Sequence, residues 1–196
     1  MAAVLPRGIR NCNPGNLDRF PPQPFKGVAA EQPDPEFYTF ADSDGVSGHV
    51  WGIRAMAIVL LAYQDKHNLN TLRLICGRYA NRPGVDNPAA YAGTVAAGMR
   101  VRRDDPLNLH KSDVLAKVLA GMIKVECAGY AYPPVTISQA ITMAYAADDI
   151  VDVDAKPASP ADAEPTHENV PAPQIAAVQD TSVDQEGDAP AAAQLT

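Results

Sequence analysis

The 196-residue chain reads as a mainly α protein of the α+β kind, followed by a tail of different chemistry. Three observations predict this. Apolar residues recur with helical period in five segments between residues 49 and 147, which argues for amphipathic helices packed on one core. A stretch rich in proline and aromatic residues before them suits short extended pieces. After residue 147 the composition changes abruptly to Ala, Pro, Asp and Glu.

The first element is a turn system, Arg7-Gly-Ile-Arg-Asn-Cys-Asn-Pro-Gly-Asn16. Asn and Gly tolerate positive φ, Pro fixes φ, and short amides bond back to their own backbone. The Pro14-Gly15 pair predicts a type II turn with Gly15 at positive φ. Between Phe25 and Phe40 two extended pieces predict a small β-hairpin with Pro33 and Pro35 in its connection. A helix follows over residues 49–64, with Val50, Ile53, Ala57, Leu60 and Leu61 on one face and Ser47 as N-cap. A second, Thr71 to Tyr79, carries Leu72, Ile75 and Tyr79 and is capped by Asn70 or Thr71. A third starts at Pro88 after Asn87, the arrangement favoured at a helix N-terminus, and runs to Met99. A fourth, Ser112 to Val125, repeats Val114, Leu115, Val118, Leu119, Met122 and Val125. The last, Thr136 to Ala147, has Ile137, Ile141 and Tyr145. Five helices of this kind equally suit a generic helical bundle.

Composition bounds the function. The longest apolar run, Ala55 to Ala62, falls well short of the ~20 residues of a membrane span, so no membrane span is expected. Residues 1–6 lack a basic n-region and apolar h-region, so no signal peptide is expected and folding is expected in a cytoplasm. Cys12, Cys76 and Cys127 are odd in number and widely spaced, and the four histidines are scattered. Neither a disulfide framework nor a metal site is supported, and no cofactor is expected. From Asp148 onward eleven acidic residues face a single lysine, a balance of −10 that leaves +3 on residues 1–147 and −7 overall. Residues 148–196, with no aromatic side chain, are expected to be a disordered, solvating tail. This charge distribution disfavours nucleic-acid binding, and Arg100-Val-Arg-Arg103 reads as a solvated basic face.

Where the chemistry lies follows from a scarcity. Residues 1–147 contain three glutamates. Glu31 and Glu36 sit among Pro, Gln and Asp, where solvation keeps them ordinary. Glu126 ends an apolar helix, beside Cys127. The negative end of the helix dipole and burial both raise a carboxyl pKa there, as a general acid for glycoside cleavage requires. Phe20, Phe25, Phe37, Tyr38, Phe40 and Trp51 are either core or the lining of a sugar groove.

These words resemble a phage-encoded family that opens R-G-I-R-N-N-N-P-G-N. Arg7 to Asn16 resembles that opening, with Cys12 at an Asn position, and Phe25-Lys-Gly27, Phe37-Tyr-Thr-Phe40, Gly52 to Tyr63, Leu69 to Ile75 and Asp86-Asn-Pro-Ala-Ala-Tyr91 follow in the family's order. The resemblance covers about residues 7–132. Many members read H-E-N-G where this chain reads Val125-Glu-Cys-Ala. The same words, in circularly permuted order with the Glu-bearing helix last, are similar to glucosaminidase domains of the lysozyme superfamily.

The resemblance implies a lysozyme-like fold for residues 1–147 and a phage virion or tail protein that cleaves the glycan strand of peptidoglycan. Hydrolysis and lytic transglycosylation would need the same acid. It implies Glu126, Asp86 and Tyr79 as catalytic residues, and Asn11, Asn13, Asn16, Tyr91 and Tyr132 as substrate-binding ones. Bacterial peptidoglycan would be the partner. The protein would reside in the virion, or in the host cytoplasm before release to the cell wall. The alternative is a non-catalytic virion subunit that kept the fold and binds other virion subunits.

Overall fold

The longest apolar run of the sequence becomes the axis of the fold. In the computed structural model, which describes residues 4–82, 84 and 86–147, it lies in α2 (Gly48–His67), where every residue from Val50 to Leu60 is buried. The periodicity predicts one apolar face. Burial extends round the helix because the N-terminal segment covers the side that a surface helix gives to water. Ser47 caps α2 by accepting a hydrogen bond from the His49 amide at 3.3 Å. Asn68, left-handed at φ 53°, ends it three residues later than predicted.

Five further helices lie among the described residues: α1 (Arg7–Arg10), α3 (Leu72–Tyr79), α4 (Pro88–Met99), α5 (Ser112–Glu126) and α6 (Pro134–Tyr145). α1 is a single turn, too short to carry a periodic signal. The Thr71 hydroxyl caps α3 and the Asn87 carboxamide caps α4, with Pro88 in the first turn of α4. The mainly helical prediction therefore holds. α6 packs along α2, while α3, α4 and α5 pack in succession and α5 returns to α6. Gly121 of α5 lets α4 approach closely: a Cβ there would stand 2.9 Å from Val95 Cγ1.

Two expectations for the N-terminal segment are corrected. No hairpin ladder forms over residues 25–40. Isolated antiparallel bridges join Asp18 to Phe37 and Val28 to Phe40. Prolines at 21, 22, 24, 33 and 35 remove the donors a ladder needs, and side chains replace them. Gln32 accepts from the Thr39 amide at 2.8 Å and donates to Ala29 and Thr39 carbonyls. Gly15 does not take positive φ; Cys12 (φ 50°) and Asn16 (φ 47°) do. Gly15 is needed for space instead, since a Cβ would collide with the Tyr79 hydroxyl and with Met56 Sδ. Gly52 of α2 serves likewise, with the Cys12 carbonyl pressed against its α-carbon.

The core is continuous through these parts, and Phe25, Tyr38, Phe40 and Trp51 belong to it. Phe25 meets Tyr38 edge-on at 5.5 Å. Among the described residues no helix is long and apolar enough to cross a membrane. The acidic segment 148–196 lies outside the described residues.

Candidate active site

Glu126 is the last residue of α5, and two other parts of the chain are brought to its carboxyl group. The Asn16 amide donates to Oε2 at 2.8 Å, and the Tyr91 hydroxyl, from the first turn of α4, donates to Oε1 at 2.9 Å. Asn16 reaches this point because the turn before it is pinned. The Asn13 carboxamide accepts from the Leu17 amide and donates to the Leu17 and Tyr38 carbonyls, all within 3.0 Å. Tyr79, closing α3, donates to the Gly15 carbonyl at 2.5 Å and fixes the turn from the other side.

These groups line a cleft of about 340 Å³, at the small end of the range for ligand sites. Asp86 stands at its edge, where its Oδ2 accepts from the Arg82 amide at 2.8 Å and faces Arg82 Nε at 3.4 Å. Past Arg82 and Asp18 the cleft meets a shallower hollow of about 290 Å³. Phe20 is 57% exposed there, with the Arg19 guanidinium over its ring. Phe37 also borders the cleft, and the guanidinium groups of Arg7 and Arg82 lie 4.8 and 5.7 Å from its ring centre.

Electrostatics follow from the burial. Desolvation raises the Glu126 carboxyl above its ordinary pKa, the Asp86 charge adds to the rise, and the Asn16 and Tyr91 donors and Arg82 oppose it. Raised is the net direction. Tyr79 and Tyr91 are driven far up by burial and by Glu126, so both remain phenols that donate. A protonated Glu126 accepting two hydrogen bonds still has a proton to give, because a carboxyl group offers about four lone-pair positions. The arrangement is a carboxyl group raised above its ordinary pKa, held by two donors and open to a cleft.

The expected site residues divide into two groups. Glu126, Asp86, Tyr79, Asn16 and Tyr91 come together in the cleft. Asn11, Asn13 and Tyr132 lie elsewhere. Asn13 is 1% exposed with its amide fully used. Asn11 donates to Asp34 Oδ2 at 2.8 Å, and the Tyr132 hydroxyl meets His49 Nδ1 at 2.7 Å. Arg82 was missed by sequence reasoning; its spacing from Asp86, one helical turn, was the available signal. Arg102 of the basic cluster pairs with Asp105 at 2.8 Å, as a solvated face would. No group of three or more His, Cys, Asp or Glu among the described residues is placed to hold a metal ion.

No family model matches the chain, and no characterised protein sequence is significantly similar to it. The cleft must therefore be interpreted from its own geometry.

Proposed function

We propose that residues 1–147 form a lysozyme-like domain that cleaves the glycan strand of bacterial peptidoglycan, with Glu126 as the general acid. One observation carries this reading: the carboxyl at the end of α5 is desolvated, held by Asn16 and Tyr91, and open to a cleft with a second carboxylate at its edge. Glu126 protonates the glycosidic oxygen, and the sugar departs through an oxocarbenium-like state. Asp86, oriented by Arg82, supplies negative charge on the side of the developing cation. The Tyr79 hydroxyl sets the turn that carries Asn16, and Asn16 and Tyr91 aim the acid. The hollow beyond Arg82, with Phe20 exposed, suits a polymer longer than the cleft alone accommodates. The phage-type words of the sequence support a location in a virion, or in a host cytoplasm before the enzyme meets the wall, as part of this proposal.

The test is turnover of purified peptidoglycan, read as released muropeptides or reducing ends between about pH 4 and 8. Glu126→Gln should lower it at least ~10²-fold while leaving folding intact. Glu31→Gln and Glu36→Gln should stay near the parent. No release by the parent protein across that range would instead support a non-catalytic virion subunit with the same fold.

A further inference from the structure

A second cluster of reactive side chains lies on the other face of the N-terminal turn. Cys12 Sγ stands 3.7 Å from His49 Nε2, and His49 Nδ1 stands 2.7 Å from the Tyr132 hydroxyl. The three residues come from the turn after α1, the first turn of α2 and the connection between α5 and α6. All three are half-buried and none is sealed off. The Tyr132 ring packs on the imidazole, 5.3 Å between centres, and Tyr130 closes on Tyr132 at 5.0 Å.

The backbone at Cys12 is itself unusual. A non-glycine residue at φ 50° costs energy and persists only when its surroundings enforce it. Here Gly52 of α2 enforces it, because the Cys12 carbonyl rests where a Cβ would otherwise be. The thiol carried on this backbone stands 3.7 Å from the imidazole. The other two cysteines are unlike it: Cys76 and Cys127 are fully buried, and burial pushes their thiols up to about 12 and about 11.

We propose that Cys12, His49 and Tyr132 form a nucleophilic thiol site that accepts an acyl group from an activated ester or thioester. A nucleophile, a base within hydrogen-bond reach and a third group orienting that base make up the arrangement that activates such thiols. In the step, Sγ bonds to the acyl carbon while its proton passes to His49 Nε2. The bond to the leaving oxygen or sulfur breaks, and that atom takes the proton from the imidazolium. The products are S-acyl-Cys12 and the free alcohol or thiol, with no change in oxidation state. The step uses the tautomer in which Nδ1–H donates to the Tyr132 oxygen, 2.7 Å away, and Nε2 is left to accept.

The charges around the cluster favour a neutral resting pair. Burial and the Asp42 carboxylate hold the Cys12 thiol above its ordinary pKa, while burial lowers His49 and Asp42 partly offsets this. Burial, with Cys127, Tyr130 and Cys12 adding to it, pushes Tyr132 upward, so it stays a phenol. A thiol and a neutral imidazole coexist over the widest pH range under these conditions. Attack assisted by the base is then independent of pH between the two titrations.

The experiment is acetylation of the full chain by p-nitrophenyl acetate, with acetyl incorporation quantified at each cysteine by peptide mass. Cys12 should take one equivalent, at a rate flat between about pH 6.5 and 8.5, whereas an ordinary thiol gains about tenfold per pH unit below its pKa. His49→Gln should slow Cys12 at least ~10-fold at pH 7 and restore the ordinary slope. Tyr132→Phe should slow it less and leave the flat profile. Cys12→Asn, which keeps a residue tolerant of left-handed backbone, should abolish the adduct without unfolding. Glu126→Gln should acetylate like the parent, so the outcome is separable from that of the glycosidase reading. A parent profile with the ordinary slope, or a His49→Gln rate equal to the parent's at pH 7, would overturn the proposal.

Discussion

Asn13 and Glu126 are both polar groups set among apolar side chains, a short distance apart along the same turn-and-helix seam, and they are treated in opposite ways. Asn13 is neutral, 1% exposed, and its amide makes three hydrogen bonds to backbone. Glu126 has two donors, a desolvation penalty on its charged form and one side open to the cleft. A saturated buried group specifies a conformation, because any other arrangement leaves its partners unpaired. An unsaturated, ionisable one retains capacity for a ligand. The first builds the scaffold and the second can do chemistry.

The contrast can be broken most sharply by exchanging what is lost. Glu126→Gln should remove activity by at least ~10² while stability is kept. The Gln carbonyl can accept from Asn16 and its NH₂ can donate to the Tyr91 oxygen, while the Tyr91 proton turns to the Met122 carbonyl at 3.5 Å. Asn13→Ala should do the reverse. It orphans the Leu17 amide and the Tyr38 carbonyl, at a cost of about 3 kcal/mol, while folded molecules should lose far less turnover than Glu126→Gln, since Asn13 touches the acid only through the turn that carries Asn16. Urea denaturation together with activity per folded molecule separates the two. Equal stability losses in both variants would erase the distinction.

Gly15→Val tests how the scaffold reaches the site. A side chain there displaces the Tyr79 hydroxyl and Met56, at about 1–3 kcal/mol, and should lower activity by moving Asn16. Chemical denaturation of Gly15→Ala and Gly15→Val should show a loss that grows with side-chain size; equal losses would point to a backbone effect.

Two pH effects are smaller. Because Glu126 titrates higher in the folded state than unfolded, the folded protein holds the proton more tightly. The associated stability is complete below the unfolded pKa, near 4, and disappears as pH rises through the folded value. Stability of the parent relative to Glu126→Gln should therefore fall as pH rises from about 4, as thermal melts would reveal. The alkaline limb of activity should follow the same carboxyl. Asp86→Asn removes a neighbouring negative charge and should shift that limb to lower pH, by less than about one unit. Arg82→Gln should shift it upward. A limb that ignores both substitutions would mean another group titrates.

Much of this architecture was legible because it is local. Capping residues Ser47, Thr71 and Asn87 and the apolar periodicity located α2 to α5 to within a few residues. What failed was long-range. The Phe25–Phe40 segment has the aromatic residues of a hairpin, but Pro33 and Pro35 interrupt its donors, so a few backbone pairs such as Ala29 to Thr39 are supplemented by the Gln32 and Asn13 side chains. Pro14-Gly15 signals a turn, yet the demand on Gly15 comes from Tyr79, 64 residues away. Glu126 stood out because glutamates are few and only this one ends an apolar helix. Its donors Asn16 and Tyr91 lie 110 and 35 residues distant, beyond any local rule. The Cys12–His49–Tyr132 cluster left no local trace, since nothing in any one of the three segments points to the other two.

Consider the Cys12 carbonyl seated on Gly52. It fixes the spacing between the turn and α2, so the turn behaves as a rigid lever with the Asn16 amide at one end and the Cys12 thiol at the other. Anyone transplanting either site onto another scaffold must carry the glycine-bearing stretch of α2 as well. A graft of residues 11–16 alone would arrive without its fulcrum.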